Sequence, residues 1–175
     1  MGTPGAWTSL SPLPANLVRY AFAQNGDDLY VAGGVADGAV VGTLYHYNVA
    51  TDTWTTLAPM PVATGEAPTG AYFNGKLYVV GGNGLTVLNI YDIAAGTWSS
   101  GAAFPDAGGT YGAAGGAFNG KFFVAGGTGG TASTTLWVYD IAGNTWSAGT
   151  ALPSGYFLGG YQQVGQYVYM VGSYG

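Results

Sequence analysis

Short apolar segments alternate with turns rich in glycine and polar residues along the whole chain. In the second quarter, the segments "PTGAYF" and "KLYVVGG" flank the dipeptide Asn74-Gly75. Asn-Gly between two apolar segments is the strongest local signal for a β-hairpin. No segment keeps an apolar period of 3.6 residues over about ten residues, so the pattern predicts strands and no helix.

The same pattern recurs as a repeat with three markers. Each full unit contains a glycine pair, then a tyrosine, then a tryptophan seven residues after that tyrosine. The markers are Gly33, Gly34, Tyr47 and Trp54; Gly81, Gly82, Tyr91 and Trp98; and Gly126, Gly127, Tyr139 and Trp146. With Trp7 included, the tryptophans are spaced by 47, 44 and 48 residues. A period of this length with four short strands per unit is typical of β-propellers.

The order of glycine pair, tyrosine and tryptophan resembles the kelch repeat, and the resemblance extends over nearly the whole chain. It implies an all-β fold, a kelch-type β-propeller built from four-stranded antiparallel blades. We divide the single domain, 1–175, into an outer strand of an incomplete blade (1–14), blade 1 (15–62), blade 2 (63–105), blade 3 (106–153) and the first two strands of a further blade (154–175).

The count of about three and a half repeats predicts an incomplete ring or half-propeller, because propeller rings usually close with about 4–8 blades. We therefore expect either a part of a longer kelch protein, completed by missing blades, or a half-ring that associates with copies of itself. Open blade faces and strand edges favour such association.

The repeated residues are interpreted as structural. The glycines allow the second strand to end where φ is positive or a Cβ would clash. The tyrosines and tryptophans supply large amphipathic side chains for packing between blades. Asn48, Asp92 and Asp140 each follow the repeat tyrosine and open a turn, where the side chain can bond its own backbone.

Candidate binding residues lie in the irregular loops. The interval from the second glycine to the tyrosine is 13, 9 and 12 residues, whereas the interval from tyrosine to tryptophan is constant. Loops carry function on a regular scaffold, so we expect binding on the face formed by the 4–1 links and the 2–3 loops. The residues with suitable chemistry are Arg19, Asp37, Glu66, Asp106, Tyr111, Tyr156 and Phe157.

Each candidate also has a structural interpretation. Arg19 is the only arginine, and kelch repeats often carry arginine near this position, so it either stabilises the fold or contacts a ligand. Glu66 and Asp106 would suit glycoside chemistry if their carboxylates were about 5–9.5 Å apart, and otherwise are two solvated acids. The aromatic residues either stack on a sugar or anchor a protein, or they pack between blades. His46 occupies an apolar strand position, which favours core packing over ligation.

Composition narrows the partners and the chemistry. The net charge is −5 with three cations, so nucleic acid is not expected as a partner. One histidine and no cysteine limit metal chemistry, and we expect neither a metal nor a cofactor. Kelch-type oxidases such as galactose oxidase use two histidines and a Tyr–Cys crosslink, which this chain lacks.

No apolar segment approaches the roughly 18 residues of a membrane span. The first residues lack the layout of a signal peptide, while the scarcity of lysine and glutamate favours an extracellular or cell-surface bacterial protein.

The sequence favours a non-catalytic binding or scaffold module for protein or glycan. Two alternatives remain open. One is a fragment of a carbohydrate-active kelch enzyme, mutarotase- or oxidase-like, and the other is a purely structural assembly module.

Overall fold

A computed structural model describes residues 5–127 and 131–173, and every regular element within them is a β-strand. Three four-stranded antiparallel sheets and one two-stranded sheet contain most of these strands. We call them blades 1 to 4 from the N-terminus. The predicted all-β fold with four-stranded antiparallel blades is confirmed. In this part of the chain no helix has the length and apolarity needed to cross a membrane.

The strands of each complete blade pair in chain order, from the inner first strand to the outer fourth. Blade 1 contains β2 (Ala21–Asn25), β3 (Asp28–Ala32), β6 (Leu44–Asn48) and β7 (Thr53–Leu57). Blade 2 contains β8 (Thr69–Phe73), β9 (Lys76–Val80), β11 (Leu88–Asp92) and β12 (Thr97–Ser100). Blade 3 contains β14 (Ala114–Phe118), β15 (Lys121–Ala125), β16 (Leu136–Asp140) and β17 (Thr145–Ala148), and blade 4 contains β18 (Gly160–Val164) and β19 (Tyr167–Val171).

Short strands join the loops between blades. They are β1 (Leu17–Val18), β4 (Val35–Ala36), β5 (Ala39–Val40), β10 (Gly82–Asn83) and β13 (Gly109–Thr110). The strand β4 pairs with both β1 and β5, and β10 pairs with β13.

The Asn-Gly dipeptides form the tight hairpins that the sequence predicts. Asn74 and Gly75 have φ values of 46° and 76°, and Asn119 and Gly120 have 50° and 72°. Two successive positive φ values match the right-handed twist of the flanking strands. These turns fix the register of the first two strands, as the pairing of Phe73 with Lys76 shows.

The glycine pairs end the second strands at the blade boundaries. All six glycines have positive φ. A Cβ on Gly33 would lie 2.1 Å from the Thr64 hydroxyl, and one on Gly126 would lie 2.6 Å from the Tyr156 carbonyl oxygen. Thr64 and Tyr156 belong to the link that enters the next blade, so the glycines allow that link to pass close to the strand end. A side chain at Gly33 or Gly126 would therefore displace that link.

Neighbouring blades pack through alternate residues of their second strands. Tyr78 and Val80 of β9 share a buried cluster with Phe122 and Val124 of β15. Blades 1 and 2 repeat this arrangement with the equivalent residues of β3 and β9. We call each such contact a seam and name it by its two blades.

A tryptophan links each complete blade to the preceding unit. The indole N–H of Trp54 donates to the Ser11 carbonyl at 2.9 Å, and that of Trp146 donates to the Ala102 carbonyl at 2.9 Å. Trp98 bonds Ala58 in the same way at 2.7 Å. Each ring also packs on the tyrosine of its own blade, with centroids 4.8 to 5.0 Å apart. These contacts tie the outer strand of each complete blade to the unit that precedes it.

The predicted outer strand over 1–14 lies within the described residues only from residue 5 onward. Residues 5–14 form no strand, although they lie where a preceding blade would end. The Ser11 N–H donates to the Asp52 carboxylate at 2.7 Å, and the Ser11 carbonyl accepts from Trp54. Because side chains of blade 1 occupy these backbone groups, the segment is held without a strand partner.

Candidate functional site

Four equivalent residues are linked by backbone hydrogen bonds around one mouth of the central channel. They are Arg19, Ala67, Gly112 and Leu158, each two residues before the inner strand of its blade. The N–H groups of Ala67, Gly112 and Leu158 each donate to the carbonyl of the equivalent residue in the preceding blade, with N···O distances of 2.9, 2.9 and 3.0 Å. We call this series the mouth ring.

The mouth ring holds an unfavourable backbone conformation. Its φ values are 55°, 51°, 68° and 51° in blade order. The left-handed region costs roughly 1–2 kcal/mol for residues other than glycine. Arg19, Ala67 and Leu158 adopt it because hydrogen bonds between blades fix their backbone. The ring therefore gives every blade the same rigid backbone at this mouth.

The side chains beside the mouth ring differ from blade to blade. The residue preceding each ring member is Val18, Glu66, Tyr111 or Phe157. The Arg19 guanidinium Nη1 donates to the Glu66 carboxylate at 2.6 Å. The rings of Tyr111 and Phe157 lie 5.3 Å apart between centroids. One mouth thus presents an ion pair on blades 1 and 2 and an aromatic pair on blades 3 and 4.

The ion pair faces solvent. The side chains of Arg19 and Glu66 are 48% and 35% exposed. An exposed pair contributes only about 0–1 kcal/mol to stability. A guanidinium has five N–H donors in a planar fork that fits a carboxylate, so Arg19 retains donors for a ligand.

The structure brings together four of the seven predicted binding residues, namely Arg19, Glu66, Tyr111 and Phe157. Asp37 is exposed in the turn between β4 and β5. Asp106 accepts the Gly108 N–H at 3.0 Å and caps its own turn. Glu66 and Asp106 therefore have different partners, and glycoside chemistry gains no support from this arrangement.

Tyr156 was predicted to bind on the loop face, but its side chain is buried. It is buried with Ala114 and Ala125 at the seam of blades 3 and 4. Burial raises the pKa of its hydroxyl to about 12. Its hydroxyl finds no hydrogen-bond partner among the residues that the structure describes. Tyr156 is thus a packing residue that covers Gly126 and does not belong to the binding surface.

The lysines and their aspartates are structural. Lys121 pairs with Asp140 at 2.9 Å, and Lys76 pairs with Asp92 in the same way. The Lys76 ammonium is the main cause of the lowered pKa of Asp92. The Gly143 N–H and then Lys121 lower the pKa of Asp140. The predicted turn role of these acids is confirmed, since their carboxylates also accept backbone N–H groups three residues on.

His46 is half-buried on β6. Its Nε2 lies 2.6 Å from the Asp28 carboxylate, and its ring stacks on Tyr30 with centroids 4.9 Å apart. Over residues 5–127 and 131–173, no three side chains of His, Asp or Glu come together as metal ligands would.

A cavity of about 530 Å³ lies in the channel at the other mouth, where the 1–2 turns are. The first strands supply its uncharged lining, which includes Gln24, Tyr72, Asn74 and Gln162. The Gln162 amide donates to the Gln24 amide oxygen at 3.3 Å and so joins blades 4 and 1 across the channel. Sequence reasoning missed this cavity. Its signal was the glutamines on strands that are otherwise rich in glycine and alanine.

The sequence matches the family described as "Kelch motif" over residues 17–61 and 109–153, which is 90 of the 175 residues. The chain belongs to the kelch-repeat family. Its predicted membership is therefore confirmed.

Curated kelch proteins match parts of this chain. "Kelch-like protein terF" of Aspergillus terreus is 35% identical over an alignment of 115 residues that covers 55% of this chain and 25% of that protein. "Kelch-like protein 21" of Danio rerio is 35% identical over 78 residues, covering 44% of this chain and 13% of that protein. An F-box/kelch-repeat protein of Arabidopsis thaliana is 39% identical over 77 residues, covering 42% and 20%. The kelch chain thus spans a quarter or less of the length of these relatives.

The fold has a solved counterpart in the structure of YjhT. The two superpose with a TM-score of 0.75 at 20% identity, over 93% of this kelch chain and 60% of YjhT. At this identity the likeness shows the fold alone. It agrees with the prediction of a kelch-type propeller with an incomplete ring.

Proposed function

We propose that this kelch chain is a non-catalytic binding module that recognises a protein or a glycan with the mouth formed by its 4–1 links and 2–3 loops. The observation that carries the proposal is the mouth ring. One backbone arrangement recurs in four blades, while the adjacent residues are Val18, Glu66, Tyr111 and Phe157. A rigid scaffold with different side chains at equivalent positions is what a recognition surface needs.

The chemistry of the mouth suits a segment with both a carboxylate and an apolar group. Arg19 offers N–H donors to a carboxylate, although Glu66 competes for the same guanidinium. Tyr111 and Phe157 offer aromatic surface with few rotatable bonds, so little conformational entropy is lost on binding. A protein or glycan that carries both groups could contact both halves of the mouth.

A random-peptide phage library and a glycan array are the probes for this proposal. Ligands selected on the wild-type chain should bind the Tyr111→Ala variant at least ten-fold more weakly, since a central aromatic contact typically contributes more than about 1.4 kcal/mol. Gln24→Ala is the matched control because Gln24 lines the cavity at the opposite mouth. Ligands that lose affinity for Gln24→Ala but keep it for Tyr111→Ala would contradict the proposal.

The channel cavity favours a second candidate ligand, a neutral saccharide. Amide groups and two tyrosines, Tyr72 and Tyr161, line it without any charged side chain. Amides pair with sugar hydroxyls and aromatic rings stack on sugar faces. In the glycan array this candidate predicts the reverse pattern, in which Gln24→Ala weakens binding and Tyr111→Ala does not. Saccharide binding in this cavity would also support the alternative that the chain is a fragment of a carbohydrate-active enzyme.

The proposal includes association with further blades, from copies of this chain or from a longer kelch protein. The open blade 4 supports it, since Tyr169 and Val171 of β19 are 57% and 72% exposed. An extracellular or cell-surface bacterial location is part of the same proposal and rests on the composition alone.

A further inference from the structure

The seams are built from one pair of complementary faces. We call the third and fifth residues of each second strand the leading face, and the second and fourth residues the receiving face. In the seam of blades 2 and 3, Tyr78 and Val80 lead, and Phe122 and Val124 receive. The Tyr78 ring lies 5.9 Å from the Phe122 ring and 6.3 Å from the Tyr139 ring, measured between centroids.

The last leading face has no covering blade in the described part of the chain. Tyr169 and Val171 occupy the strand positions of Tyr78 and Val80, which are 2% and 0% exposed. Their own exposures of 57% and 72% are those of open surface. The receiving residues of the same strand, Val168 and Met170, pack normally on blade 3.

The receiving end of blade 1 is preformed. Leu13 follows Trp7 by six residues, as Met60 follows Trp54 and Phe104 follows Trp98. Met60 and Phe104 are buried in seams, and Leu13 already lies against Val31 and Tyr45 of blade 1. Next to them Val49 is exposed, whereas its equivalents Ile93 and Ile141 pack into seam clusters.

We infer that the leading face of blade 4 docks on the receiving end of blade 1 of a second copy, head to tail, and so repeats the internal seam. The inference rests on the proposed self-association and names its surfaces. The leading half of this contact is open at blade 4. On the receiving half, Val31 is already covered at 4% exposure, while Leu29 is only partly buried and Val49 is 42% exposed, so a second copy would cover the part that stays open. By the geometry of Tyr78 and Phe122, Tyr169 would lie against Leu29 of the second copy, which is only partly buried.

Such a contact is heterologous, so it joins copies head to tail and closes into a ring only if the rotation between copies allows it. The rival arrangement is isologous pairing of two exposed β19 edges, in which Tyr169 would face Tyr169. The two differ in which residue lies opposite Tyr169, so crosslinking distinguishes them.

The chain has no cysteine, so engineered cysteines report single contacts. Tyr169→Cys and Leu29→Cys are made in separate proteins. Each protein alone and a mixture of the two are treated with a short bismaleimide. The reaction is run at physiological salt, which screens the net charge of −5 per copy. The head-to-tail seam predicts dimers mainly in the mixture, at least ten-fold above either protein alone. Val62 is exposed on the link between blades 1 and 2 and belongs to neither face. Mixtures of Val62→Cys with Tyr169→Cys, and of Val62→Cys with Leu29→Cys, measure the crosslinking that arises from random collision.

Two results would overturn the inference. One is efficient crosslinking of Tyr169→Cys with itself, which would show edge-to-edge pairing. The other is a wild-type chain that sediments as a monomer up to about 100 µM and gives no dimer in the mixture. Val171→Asp supplies an independent readout, since a charge on the leading face should shift wild-type assemblies to monomers. Ligand binding by the wild-type chain and Tyr111→Ala is measured separately on the monomer. The docking of two copies and the recognition of a ligand by the mouth can therefore fail independently.

Discussion

Tyr78 and Tyr169 occupy the same position in the second strands of blades 2 and 4, yet they lie in opposite environments. Tyr78 is 2% exposed inside the seam of blades 2 and 3, and Tyr169 is 57% exposed on the end face of blade 4. The strand, the residue and the register are alike, but blade 2 has a following blade and its own third and fourth strands, and neither is present beside β19 in the described part of the chain. Burial in this fold is therefore supplied by the neighbouring strands and the next unit and is not a property of the strand itself.

The contrast extends to the backbone. Gly126 and Gly172 end the second strands of blades 3 and 4 with the same φ of 72°. A Cβ on Gly126 would meet Tyr156, and a Cβ on Gly172 would meet nothing within 4 Å. A repeat in which each unit contacts only its neighbours gains its stability at these interfaces. The same substitution should therefore lower the free energy of unfolding more inside a seam than at the equivalent position on the open face of blade 4.

The largest difference is expected for truncation of the two tyrosines. Tyr78→Ala should lower the free energy of unfolding by about 3–5 kcal/mol, because it removes a buried aromatic ring and leaves a cavity. Tyr169→Ala should change it by about 0.5 kcal/mol or less, as for other surface positions. Urea denaturation followed by tryptophan fluorescence measures both, at a protein concentration low enough to keep the chain monomeric. Equal losses would show that blade 4 is covered in solution even at that dilution.

The glycine pair gives a smaller and more local difference. Gly172→Ala should cost roughly 1–2 kcal/mol, the penalty of a left-handed residue with a side chain. Gly126→Ala carries the same penalty and also forces a contact of 2.6 Å with the Tyr156 carbonyl oxygen. We expect it to cost at least about 1 kcal/mol more, as overpacking usually does. Indistinguishable urea midpoints for the two variants would mean that the link relaxes away from Gly126 without cost.

Much of this architecture could be predicted from the sequence because it depends on local chemistry. Asn74-Gly75 specifies a hairpin by itself, and a glycine pair or a tryptophan repeated at fixed spacing indicates a shared structural role. The mouth ring could not be predicted in this way. Arg19 and Leu158 have left-handed backbones only because hydrogen bonds from other blades hold them there.

The candidate site shows the same division. The loop-face residues Arg19, Glu66, Tyr111 and Phe157 were identified from irregular loops, but their pairing depends on how adjacent blades meet. Tyr156 stands in an equally irregular loop and is buried, because Gly126 leaves space for it. The channel cavity forms because four inner strands surround it, and the sequence of any one strand does not predict that arrangement.

The N-terminal end of the chain contrasts with the open blade 4, since side chains of blade 1 hold it. The Asp52 carboxylate Oδ1 accepts the Tyr47 hydroxyl at 2.6 Å and the Ser11 N–H at 2.7 Å. In the seam of blades 2 and 3, the Asn144 amide oxygen accepts the equivalent two donors, Tyr139 and Ala102, both at 2.7 Å. Asp52→Asn therefore converts the terminal contact into the internal one and removes its charge.

The smallest expected effect is the pH dependence of this terminal contact. The Tyr47 hydroxyl, and then the Ser11 N–H, lower the pKa of Asp52 in the folded chain. A carboxyl whose pKa is lower when folded stabilises the protein above its unfolded value of about 3.9, and that contribution is lost as the pH falls through the folded value. Urea midpoints measured from about pH 6 to pH 2 should thus fall more steeply for wild type than for Asp52→Asn. Parallel curves for wild type and Asp52→Asn would show that Asp52 does not anchor the N-terminal segment.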